Sequence, residues 1–332
     1  MGEEDFIHSS KSIGYSRLAV TIIIFCCVFD LIKGNFMNFV VTRKLIGGSS
    51  SLAGSEWYYE YSTLHKYFDD DSIKKYITWV SKQSAAITSN WNDELNSEWL
   101  VRMFLSARMV LGASVMASSS EYAIEKNLRI TVPYLNYYTL LYSLKCLIFT
   151  LPSVQWKNGG VITQNHSATI NYACDALARI DKTFSNTTKS NILKSKALRE
   201  SISYRAPSSG DKCSKDERCP FDTCRVILEL AQLNSEIFEK SLVKRASGKK
   251  FEIVDGYIER AFETEIEGHM FFDEEDYYRI GYFVRKYPYP ANIQHMMSEG
   301  HVEDFFGSWV DKEDREDVFN PDENWQILFD VP

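Results

Sequence analysis

Lys145 is the only cation in the run TVPYLNYYTLLYSLKCLIFTL, residues 131–151. At 100° per residue it falls on one helical face with Tyr134, Tyr138, Leu141, Tyr142 and Phe149. Two chemistries fit an ammonium on a tyrosine-rich face. Its stem can pack on the rings while the head reaches water or a buried carboxylate. Alternatively Lys145, with the hydroxyls of Tyr138 and Tyr142, lines a pocket for an anion such as a nucleotide phosphate. A second candidate is His166 in QNHSATIN, either a helix-start residue whose ring bonds a nearby carbonyl or a ligand contact. A third is Tyr204-Arg205, just before Ala206-Pro207, where a guanidinium fork could grip phosphate from a surface loop.

Other chemistries find no support. There is no G-x-S-x-G elbow, H-E-x-x-H, Walker or dinucleotide-binding glycine motif, and GGSSSLAG lacks both the glycine spacing and the lysine of a phosphate loop. No cofactor is implied. Cys213, Cys219 and Cys224 are too widely spaced for structural zinc and lack a paired C-x-x-C. The carboxylate runs DEED (273–276) and DKEDRED (311–317) read as solvated faces, so no metal site is expected. Seven cysteines form no even framework, which fits a reducing, cytoplasmic compartment.

These residues need elements to hold them. The central run follows Pro133, suited to a first helical turn, with eighteen residues free of Gly and Pro, and reads as a buried central helix. Asn136, Thr139, Ser143 and Thr150 form a polar stripe along it. Glu94 to Ser118 reads as one long helix whose second half, SARMVLGASVMASSS, is small enough for close approach to the central helix. Helices are also expected from a cap at Gly54 or Ser55 through EWYYEYSTLHKYF, from Asp69–Asp71 through Ile87, over 167–180, over 224–245 and near 257–267. No stretch alternates with period two, so the fold class is all-α.

Three regions emerge. Residues 1–36 hold the apolar run Leu18 to Phe29, twelve residues long. That is short for a membrane span; translation from Met37 is the favoured reading and a membrane anchor through 18–29 the alternative. Residues 37–250 form the helical domain and residues 251–332 an acidic region packed on it. Charge is uneven: 182–250 carries 15 Lys/Arg against 8 Asp/Glu, whereas 251–332 carries 6 against 21. The tail either folds back on the basic face or leaves it open to a polyanion, an RNA or a nucleotide.

SARMVLGASVMASSSEYAI, NLRITVPYLNYYTLLYSLKCLIFTLP and QNHSATIN together resemble the HEPN-like helical superfamily, and within it the bacterial YaaC-like proteins, over roughly residues 95–180. The resemblance implies a bundle of four or more helices, often a homodimer, in a group that spans ribonucleases, phage-defence effectors and inactive binding relatives. Active members pair an Arg with a His, four to six residues lying between them, to cut RNA without a metal. Here Arg260 precedes His269 by eight intervening residues and Arg285 precedes His295 by nine, so that motif is missing. The expectation is a non-catalytic binding protein. The alternative is a diverged endoribonuclease of a phage-defence or toxin–antitoxin system, with His166 catalytic and an arginine such as Arg205 brought to it by folding.

Overall fold

The computed structural model describes residues 59–208, 220–246, 249–286, 289–297, 300–310 and 318–329. The expectations for residues 1–58, for Cys213 and Cys219, and for the run 311–317 lie outside them. Helices α1 (Ser62–Tyr67), α2 (Asp70–Thr88), α3 (Asp93–Glu125), α4 (Val132–Thr150), α5 (His166–Leu177), α6 (Lys182–Arg205) and α7 (Phe221–Ala246) come first. The C-terminal region then adds α8 (Asp255–Ile258), a 3-10 turn (Glu259–Ala261), strands β1 (Glu263–Ile266) and β2 (His269–Phe272), α9 (Glu274–Lys286), α10 (Ile293–Met296), α11 (His301–Gly307) and a last 3-10 turn (Pro321–Ile327). The fold is all-α, and among the described residues that two-stranded hairpin is its only sheet.

Side-chain caps set the long helices. Asp69, Asn92, Asn165 and Asp181 each accept a hydrogen bond from the backbone N–H three residues on, occupying donors that a helix start leaves unpaired. α4 is the central helix, packed against α3, α5, α6 and α7. Tyr137, Leu140, Leu141, Leu144, Leu147 and Ile148 are buried, whereas Tyr138, expected to be inaccessible, is half-buried. The polar stripe is buried too and is satisfied internally: Ser120 donates to Asn136 at 2.7 Å, and Thr139, Ser143 and Thr150 donate to carbonyls of their own helix at 2.8–2.9 Å.

α3 does lie against α4, and closely. A Cβ on Gly112 would sit 3.2 Å from the Tyr142 ring, tighter than ordinary van der Waals contact. Gly112→Val is therefore expected to cost about 1–3 kcal/mol through overpacking, measured by urea unfolding, and to displace Tyr142. On its other side α3 is covered by α8, α10, α11 and the last 3-10 turn. Burial on both flanks explains why α3 is long and apolar enough to cross a membrane by length and composition, although 78% of that window is buried inside the fold.

The tail shares this core: Ile280, Phe283, Ile293, Met296, Phe306 and Phe329 belong to the same buried cluster as α3 and α4. A buried polar clasp ties it to α7, where Gln232 donates to Asn292 Oδ1 at 3.1 Å and Asn292 donates to Glu239 Oε2 at 2.7 Å. The tail's elements pack chiefly on α3 and α7, while α6, with its six cations, packs chiefly on α4 and α5.

Three expectations about elements need correction. The stretch 257–267 is not one continuous helix, since its first two residues close the short α8. The rest becomes a 3-10 turn and a strand, because Glu267 (φ 52°) and Gly268 (φ 80°) form the two left-handed positions of a tight hairpin turn. Of the helix expected through EWYYEYSTLHKYF, the described residues hold only 62–67, since Tyr61 (φ 49°) leaves helical geometry just before it. Finally, 182–205, read only as a basic segment, is the 24-residue helix α6.

Candidate functional site

The tyrosine face of α4 meets α5 and α6 where two helix features coincide. Asn165 caps α5, so His166 opens that helix beside its positive end. α6 runs back alongside and brings Arg199 to the same place. The His166 ring does not bond a carbonyl: its Nδ1 shares a hydrogen bond of 2.7 Å with the Tyr137 hydroxyl. Arg199 stacks over Tyr137, its guanidinium carbon 5.0 Å from the ring centroid, and donates through Nη1 to the Tyr138 hydroxyl at 3.3 Å. Tyr138 meets the His166 ring edge-on at 6.4 Å and lies tilted against Tyr142 at 6.0 Å.

Lys145 is half-buried one turn beyond Tyr142's level, and no described carboxylate pairs with it. Burial, and then repulsion from Arg108, hold its ammonium below the usual lysine range. Arg108 is itself occupied, donating to the Ala261 carbonyl at 3.1 Å and to the Asp276 carboxylate. His166 is held below its ordinary value by burial first and then by Lys145, Arg199 and Lys196, with Glu200 opposing. Its ring is therefore neutral at pH 7, and Nε2 has no hydrogen-bond partner among the described residues. Burial also raises the Tyr137 hydroxyl to about 12, so it stays protonated and serves as a hydrogen-bonding group. Among the described residues Glu200 is the carboxylate acting on His166, and it is shared by Lys196 (3.6 Å) and Arg199 (3.4 Å).

His166, Tyr138, Tyr142 and Lys145 are thus brought together, while Tyr204 and Arg205 are not. Tyr204 is 82% exposed, and both lie at the end of α6, where neighbouring Ser203 bonds the Tyr134 hydroxyl at 2.7 Å. Tyr134 and Lys145 are separated by roughly 16 Å along α4 at 1.5 Å per residue. The arginine that reaches His166 is Arg199, one and a half turns earlier. Arg199 reads from the sequence only as one cation of the basic segment, because nothing there sets α6 opposite α4, and Tyr137 joins the site because α5 opens beside it and brings His166 to its hydroxyl. Among the described residues no cluster of His, Cys, Asp and Glu could hold a metal ion. No family model, curated protein or solved structure matches the chain.

Proposed function

We propose that this chain is a cytoplasmic, non-catalytic HEPN-like binding protein that takes the phosphate of a nucleotide or an RNA strand between α4, α5 and α6. The observation that carries the reading is Lys145: a half-buried ammonium without a described carboxylate partner, facing a cluster whose other charges are mostly positive. A bound phosphate would offset that uncompensated charge. Arg199 offers a planar donor fork, and the Nε2 of His166 adds a neutral hydrogen-bonding group. The half-buried rings of Tyr138 and Tyr142 can take a base by stacking, which contributes about 1–3 kcal/mol per base. The order of a small-residue helix, an aromatic helix and a His-opened helix is the one the HEPN-like resemblance implies.

The test is fluorescence anisotropy with a labelled single-stranded RNA and, separately, with a labelled ATP analogue. Lys145→Gln and Arg199→Gln are each expected to weaken binding about tenfold, the equivalent of about 1.4 kcal/mol. Removing charge at Arg199 and Lys196 should also flatten the salt dependence by about 0.7 per lost RNA phosphate contact. Binding that neither variant alters would overturn the site. A second reading rests on the meeting of His166 with Arg199 over the Tyr137–Tyr138 pair: a neutral imidazole beside a guanidinium is a base beside a phosphate clamp. RNA cut by the wild type and left intact by His166→Ala would replace the binding-only reading with a metal-independent ribonuclease.

A further inference from the structure

The hairpin stands clear of the core. Register pairs Glu263 with Phe272, Thr264 with Phe271, Glu265 with Met270 and Ile266 with His269. Asp273 N–H donates to the Phe262 carbonyl at 2.8 Å, which fixes the phase of the ladder. Hydrogen-bonded pairs recur every second residue in an antiparallel ladder, so Thr264–Phe271 and Ile266–His269 exchange the inner bonds. The N–H and C=O groups of Met270 and Phe272 therefore point outward along the free edge of β2.

Among the described residues nothing covers that edge. Strand edges are ordinarily blunted by charge, proline or a covering element, and β1 carries Glu263 and Glu265, but β2 reads His-Met-Phe-Phe. Met270, Phe271 and Phe272 are 56–64% exposed, and Ile266 is 56% exposed. The surrounding segment is acidic: Glu263 to Asp276 holds seven carboxylates and no Lys or Arg, and of the seven Asp276 is buried against Arg108. The pleat places Glu263 and Glu265 on the same face as Met270 and Phe272.

We propose that the β2 edge is a docking site for an extended cationic segment of a partner protein, added as a third strand beside Met270 and Phe272. Backbone bonds to Met270 and Phe272 hold the strand. The period of two sends alternate partner side chains to the Glu263/Glu265 face, where Lys or Arg stems cross the Met270 and Phe272 side chains toward the carboxylates. The remaining side chains lie on Ile266 and Phe271 and are apolar. A second copy paired edge to edge would instead bring two such acidic hairpins together with no compensating cation between them, so charge selects a basic partner.

The probe is a labelled eight-residue peptide of alternating lysine and valine, titrated into the full-length protein. Met270→Pro removes one outward N–H and none of the inner hairpin bonds, so circular dichroism should be unchanged while peptide affinity falls at least tenfold. The same peptide N-methylated on alternate residues should bind equally poorly, and Glu263→Gln with Glu265→Gln should weaken binding and flatten its salt dependence. Equal affinity for Met270→Pro or for the methylated peptide would show attraction by charge alone and overturn the proposal, as would no binding. Sedimentation that shows a dimer dispersed by Met270→Pro would assign the edge to a second copy and overturn the cationic partner.

Discussion

Replacing Arg102 with leucine is expected to cost about 3–5 kcal/mol, the range found when one partner of a buried ion pair is removed. Arg102 lies on α3 and is 1% exposed. Its Nε donates to Glu98 at 2.8 Å, Nη2 to the Val154 carbonyl at 2.7 Å and Nη1 toward the Phe149 carbonyl at 3.5 Å. The guanidinium is stacked between Trp99 (4.8 Å) and Trp156 (5.6 Å). It therefore holds the C-terminal end of α4, where carbonyls lack intrahelical partners and the helix dipole favours a cation. Leucine would fill part of the volume but leave these carbonyls unpaired and Glu98 without its cation, in a setting whose burial already raises that carboxyl above its ordinary value. Glu98→Leu in the same chain should restore part of the loss, since replacing both partners of a buried pair with apolar groups can be nearly neutral. Equilibrium urea unfolding at pH 7 measures both variants. A loss below about 1 kcal/mol for the single change, a value typical of an exposed pair, would show that Arg102 does not anchor α4.

Arg102 also marks where sequence reading stops. In EWLVRMFL it looks like one charge in an apolar helix with Glu98 one turn back, and its carbonyl acceptors lie 47 and 52 residues away, at the end of α4 and in the turn after it. Nothing local announces them. α2, α3, α4, α5 and α7 were legible because a cap or an N-terminal proline coincides with an unbroken apolar pattern. α6 was not: its fully buried positions are Ser185, Thr188 and Ile192, so the stripe that packs on α4 and α5 is mostly polar and carries no 3.6-residue apolar signal. The hairpin was invisible for the opposite reason. Both its faces are exposed, so no inside-and-outside alternation was imposed on its side chains. Half of the candidate site followed from α4 alone, because helical periodicity puts Tyr138, Tyr142 and Lys145 on one face. His166 stood out on its own, but its meeting with Tyr137 and Arg199 depends on where a loop and α6 return, which is a property of the packed fold.

Stability should also fall as pH rises from about 5 to about 8 through a single carboxyl, Glu229. It projects from α7 into the start of α1, accepting from Thr63 N–H at 3.0 Å and Leu64 N–H at 2.7 Å, and so satisfies two donors of a helix 165 residues away in sequence. Burial raises its pKa from 4.5 to about 7 despite those two hydrogen bonds, which favour the ionised form. The folded state then binds the proton more tightly than the unfolded chain. The resulting stabilisation is complete below pH 4.5 and is lost as pH climbs through 7, for a total on the order of 3 kcal/mol at 1.36 kcal/mol per unit. A protonated carboxyl keeps a lone pair on each oxygen, so both N–H bonds survive protonation. Glutamine does not: its NH₂ would face one of the two donors. Glu229→Gln should therefore be less stable than wild type at pH 5 and should lack this part of the pH dependence. Urea unfolding at pH 5, 6, 7 and 8 on both proteins isolates the effect, because every other titrating group, His301 at about 4 included, cancels in the difference. A wild-type minus variant difference that stays flat across that range, or grows with pH, would mean that Glu229 is ionised throughout and that its two hydrogen bonds outweigh its burial.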